Sequence, residues 1–141
     1  MTIPYIEKKG IRILKDEIVT LDGGIQLIGR IDRDGSRMNK MERLPLEELV
    51  KKADQSKPII LLDHQPLKLS ETEKSGVDLQ LSGHTHNGQM WPLNHITKWI
   101  YEVSYGYKQK GKTQIIVSSG FGIWGPRIRS CLLYTSPSPR D

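Results

Sequence analysis

Apolar residues along this chain fall into short runs of four or five, broken by polar or glycine-containing turns, with one interval of helical periodicity. Residues 11–14 and 18–21 are predicted as short strands, Asp22-Gly23-Gly24 as a turn, and 25–28 as a further strand. Residues 32–43 are polar and read as a loop. Leu46, Leu49, Val50 and Ala53 then recur at i, i+3, i+4 and i+7, one stripe of a helix that Pro45 opens. Glu47 and Glu48 sit near its positive end, Lys51 and Lys52 near its negative end.

The run 58–62 is wholly apolar after its proline, the character of a strand covered on both faces. A short helix over 70–75, with Gly76 placed to cap it, leads to a strand over 77–81. Strand, helix, strand at this spacing predicts a parallel pair. Tyr101, Val103, Tyr105 and Tyr107 alternate with Glu102, Ser104 and Gly106, which predicts a one-sided strand with a packed tyrosine face. It is expected to pair with 113–118 across a turn formed by 108–112. Trp91, Trp99 and Trp124 are expected in core or loop-anchor positions, and His95 on the surface. The pattern as a whole is α/β.

Composition narrows this only a little. The 141 residues suit one domain, and with 36% hydrophobic and 26% charged residues the chain is neither disordered nor fibrous. No apolar run approaches the ~18–20 residues of a membrane span, and no signal peptide is expected. The net charge of +5 is unevenly placed. Residues 1–97 hold 14 basic and 14 acidic side chains, so the excess lies in Lys98, Lys108, Lys110, Lys112, Arg127 and Arg129 against Glu102. A solvated turn explains most of it; a basic polyanion-binding module using residues 98–129 is the alternative. Residues 131–141, with the lone Cys131, match no element pattern and resemble a translated sequencing adapter. The domain is therefore taken as 1–130.

Candidate chemistry concentrates in the histidines, all four of which lie between 64 and 95. His64 follows the apolar run 58–62 within two residues, and His84 and His86 follow the strand 77–81 within five. In a parallel pair both segments leave the sheet at its carboxyl edge, where ligand sites of α/β sheets collect. Three imidazoles distant in sequence are thus predicted to converge. His84-Thr85-His86, read as an extended segment, puts both rings on one side. Gly83 and Gly88 permit close backbone approach, and Asn87 tolerates left-handed angles. Neutral imidazole is the commonest metal ligand.

These residues also carry a resemblance. Leu62-Asp63-His64-Gln65-Pro66, then Ser82-Gly83-His84-Thr85-His86-Asn87-Gly88-Gln89, then Val117-Ser118-Ser119-Gly120-Phe121-Gly122 resemble the later motifs of the calcineurin-like metallophosphoesterases, in order and spacing. The similarity runs over roughly residues 3–130 and is nearest the branch with a GHTHNGQ-type motif. It implies part of a four-layer sandwich, two mixed β-sheets flanked by helices, with a binuclear site of divalent metal ions (Mn, Fe or Zn) and a phosphate mono- or diester as substrate. By motif, His64 and His84 would ligate one metal and His86 the other. Arg129 is a possible phosphate contact, since a guanidinium fork fits phosphate oxygens. No specific nucleic-acid partner is implied. The parent protein is expected to be cytoplasmic or membrane-associated, in the latter case through an amino-terminal segment outside this sequence.

The family's early motifs, an Asp-x-His, a Gly-Asp and a Gly-Asn-His, do not occur here. Asp32-Arg33-Asp34-Gly35 is no substitute, and as a calcium loop it would need a glutamate where Arg43 stands. Two cations ~3.5–4 Å apart need bridging anions that three neutral histidines do not provide. The chain is therefore expected to be a fragment that is inactive alone. Asp63 reads as a structural neighbour of His64. A mononuclear zinc-binding structural module is the remaining alternative. A zinc protease is disfavoured because no H-E-x-x-H occurs, and Ser118-Ser119-Gly120 reads as a strand-to-loop turn rather than a nucleophile elbow.

Overall fold

The structure, a computed structural model, describes residues 2–39 and 42–120. Its strands are β1 (Glu17–Thr20), β2 (Gln26–Gly29), β3 (Ile59–Leu62), β4 (Leu79–Ser82), β5 (Gly106–Lys110) and β6 (Thr113–Val117). They form a single mixed sheet in the order β1-β2-β3-β4-β6-β5. The inner four run parallel, and β1 and β5 add antiparallel hairpins at the two edges. The helices are α1 (Thr2–Lys8), α2 (Arg33–Asn39), α3 (Leu46–Lys51), α4 (Leu69–Lys74) and α5 (Leu93–Ile100). The expected α/β architecture of a mixed sheet flanked by helices is present. Its second sheet is not formed among the described residues.

The core lies on one face of the sheet. Leu46, Leu49, Val50 and Ala53, the stripe read from the sequence, pack on Ile28, Ile59, Leu61 and Val77. A second cluster joins Leu69 of α4 to Val103, Ile115 and Val117. Between the clusters β4 turns polar side chains inward, and they are satisfied there. Thr72 of α4 donates to Gln80 at 2.7 Å, and Gln80 donates to Ser82 at 2.9 Å. This polar ladder ties the crossover helix to the strand that follows it, completing the predicted β3-α4-β4 unit. Gly76, at φ +83°, ends the helix as expected.

Several expectations are corrected. Residues 11–14 form no strand; Leu14 instead lies against Gly29, where a Cβ would come within 2.2 Å of it. The polar stretch 32–43 contains α2, capped by Asp32, whose carboxylate accepts from the backbone N–H groups of Asp34 and Gly35. β3 is buried on one face and only half-covered on the other. The tyrosine strand is shorter and later: β5 begins at Gly106, and Tyr105 and Tyr107 are exposed. Trp91 and Trp99 are 72% and 87% exposed, so neither fills the core. Residues Phe121 to Asp141, and with them Arg127, Arg129, Trp124, Cys131 and the adapter-like tail, lie outside the described residues.

Candidate functional site

The ends of β3 and β4 build the site. Their parallel ladder continues past both strands: Asp63 donates its N–H to Leu81 at 3.2 Å, and Gly83 donates to His64 at 3.0 Å. That continuation holds His64 and His84 side by side at the carboxyl edge. Nδ1 of His84 lies 3.2 Å from Nε2 of His64, with the rings edge-on at 85° and their centroids 5.0 Å apart. Tyr101 lies edge-on to His84, centroids 6.3 Å apart. Burial first, and the neighbouring His64 second, push the His84 imidazole below its ordinary range, which disfavours its charged form. Burial and Asp34 push the Tyr101 hydroxyl upward.

His86 does not join this pair. The segment is not extended: His84 has φ +68°, Thr85 is helical, and His86 has φ +49°. The ring of His86 therefore lies towards Gly120, where a Cβ would sit 3.3 Å from its Cε1. Its Nδ1 is buried without a hydrogen-bond partner among the described residues. The left-handed geometry anticipated for Asn87 is present at φ +49°, and Gln89 adds another positive φ, at +55°. Such clustering of uncommon backbone angles is typical of functional loops. Thr85 anchors this loop by donating to the carbonyl of Ser104. Gly88 lets α5 approach so closely that a Cβ would fall 2.2 Å from the backbone nitrogen of Asn94.

Three carboxylates near the histidines were not assigned to the site from sequence. Asp32 and Asp34 are close enough to His84 to oppose its shift, and Asp34 accepts from Gln65 at 2.8 Å. Asp63 is buried and engages both Arg30 and Arg43, which makes it structural, as its alternate direction on the strand suggests. The signal for the first two was the cap at the start of α2, which brings its first turn to the rim.

The donor set fits a metal in part. Two nitrogens bound at ~2.0–2.1 Å to one ion lie ~2.8–3.4 Å apart over the span from octahedral to tetrahedral angles, and the His64–His84 separation of 3.2 Å falls within that span. Among the described residues, however, no group of three or more His, Cys, Asp or Glu is arranged to hold an ion. A concavity of about 720 Å³ between α3 and α4 lies elsewhere and is lined by Glu47, Lys51, Glu71 and Lys74 among others.

Comparison with known proteins finds curated relatives along most of the chain. The chain is 40% identical over 130 residues to an uncharacterized metallophosphoesterase of Helicobacter pylori, covering 90% of this chain and 34% of that protein. It is 35% identical over 130 residues to one from Aquifex aeolicus, covering 91% of this chain and 49% of the other. A 75-residue stretch is 37% identical to a Danio rerio transmembrane protein with a metallophosphoesterase domain, covering 51% of this chain and 17% of that one. No protein-family model and no solved structure matches. This chain is similar over about 90% of its length to proteins named metallophosphoesterases, which supports the calcineurin-like family, whose members generally use divalent metals. It spans only a third to a half of the length of these bacterial relatives.

Proposed function

We propose that this chain carries part of the metal site of a phosphoester hydrolase, and that the rest of the ligand cage belongs to the remainder of a longer polypeptide. The observation that carries the reading is the meeting of His84 Nδ1 and His64 Nε2 at 3.2 Å on the carboxyl edge of two parallel strands. His64 and His84 would hold one divalent ion, and His86, with its buried unpartnered Nδ1, is the candidate ligand of a second. Mn, Fe and Zn all suit imidazole nitrogen. Such ions supply Lewis acidity for hydrolysis of a phosphate mono- or diester. The chain's own part is to present the imidazoles, to fix them through the β3–β4 ladder, and to hold the loop 83–89 through Thr85 and Gly88. Arg129 remains a candidate phosphate contact. Two relatives are named transmembrane proteins, which favours a membrane-associated parent.

Alone, this chain holds two of the ligands in one place and should take up at most one ion, weakly, without turnover. Titration calorimetry with Zn²⁺ and Mn²⁺ tests this. The expected result is one ion or fewer per chain, lost on His84→Ala, with no hydrolysis of bis(p-nitrophenyl) phosphate. Binding unaffected by His84→Ala would overturn the site, and turnover by this chain would overturn its incompleteness. The mononuclear structural reading is favoured only by the separation of His86. It predicts one ion per chain in the full-length parent, where the binuclear reading predicts two.

A further inference from the structure

We propose that Arg30, Arg33 and Arg43, with Lys68, form a binding site for a phosphate-class oxyanion. It does not depend on the metal reading. The four side chains line a cavity of about 360 Å³ together with Ser36 and Glu71, several times the size of a phosphate group. The charges do not balance. Arg30 and Arg43 both bond the single carboxylate of Asp63, although their side chains are only 7% and 10% exposed. Glu71 is met by Lys68 at 3.5 Å. Four cations thus face two carboxylates.

The excess cannot be relieved by losing protons, because guanidinium stays charged in proteins. Burial and Arg43 do push Arg30 downward, the mark of crowded positive charge. Asp16 adds negative charge near Arg30, but its two oxygens are occupied, accepting from the backbone N–H groups of Ile31 and Leu44. That clamp holds the segments bearing Arg30 and Arg43 together. Nε of Arg30 and both Nε and Nη1 of Arg43 are buried and meet no acceptor among the described residues. Buried charged donors without acceptors are costly, and a tetrahedral oxyanion matches their forked geometry. Free inorganic phosphate and the phosphoryl group of an ester would be recognised by the same donors.

The experiment titrates the full chain, in the presence of a chelator, with inorganic phosphate and separately with phenyl phosphate, read by calorimetry and by the shift in melting temperature. Binding of one or both with Kd about 1 mM or tighter is expected. Arg33→Glu, on the surface of α2, should weaken it at least tenfold, and Arg43→Met should abolish it. His84→Ala should leave it intact, which separates this site from the metal site. Preference for phenyl phosphate assigns the site to substrate; equal or better binding of inorganic phosphate assigns it to the free ion. Binding unchanged in Arg33→Glu, or no binding of either anion to the parent chain, overturns the proposal.

Discussion

Asp63 is buried between two guanidinium groups, and its replacement is the most disruptive single change foreseen outside the apolar core. Asp63→Ala leaves Arg30 and Arg43 desolvated without their shared counter-charge. Removing one partner of a buried pair costs ~3–5 kcal/mol, so urea unfolding should show a loss of that order, with the histidine pair disturbed in step. A loss below ~1 kcal/mol would mean that the network is hydrated and weak. This role was out of reach of the sequence because Arg30 and Arg43 lie 33 and 20 residues away. The convergence of His64 and His84 was legible, since it needs only two strands in parallel. The direction of His86 was not. It depends on the sign of φ at His84 and His86, and a histidine-x-histidine spacing says nothing about that.

Among the elements, α3 was legible because four apolar residues kept a helical period and all four are buried. α2 was hidden because a polar segment whose start is signalled only by an aspartate cap looks like a loop. The tyrosine alternation misled because the consecutive Val103 and Ser104 are both buried, in a loop rather than a strand; period 2 in the sequence over a few residues does not ensure that burial alternates. These contrasts carry a stability prediction. Leu49→Ala in α3 should cost ~2–5 kcal/mol, whereas Trp99→Ser on the outer face of α5 should stay within ~0.5 kcal/mol. Equilibrium denaturation of both variants checks it, and a large loss at Trp99 would show that α5 is covered.

The hairpin edge is held by charge as well. Hydrogen bonds from Lys110 and Lys108 keep the Glu102 carboxyl below its usual range. A carboxylate whose folded pKa is depressed contributes stability above its unfolded value, near 4.5, and loses it as pH falls through the folded one. The site is largely exposed, so the contribution is under ~1 kcal/mol. Glu102→Gln should therefore be slightly less stable than the parent at pH 7, and the difference should shrink as pH drops below that value. A difference that grew with acid would contradict the pairing.

At the scale of the molecule, the described residues build a buried core on one face of the sheet and cover the other only in part. Across the strands, Val19, Leu27, Ile60 and Leu79 lie in one row of register, and Leu62, Leu81, Ile116 and Tyr107 in the next. None of these is fully buried, and Leu81, Ile116 and Tyr107 are exposed. α3 and α4 lie on the opposite face, against Ile28, Leu61 and Ile115. An apolar surface that continuous is uncommon on a soluble monomer and marks a face that packs against something. In the two-sheet sandwich that the family resemblance implies, this is the face that would receive the second sheet. For the chain by itself the consequence is association. The isolated chain should form dimers or larger species as its concentration rises, and Leu81→Lys with Ile116→Lys should shift it toward monomer while leaving α3 and the inner core intact. Sedimentation velocity over a concentration series, with circular dichroism to confirm the fold, measures both. If the parent chain stays monomeric throughout, the two rows are covered by its own residues, and the half-sandwich description fails at the sheet rather than at the metal site.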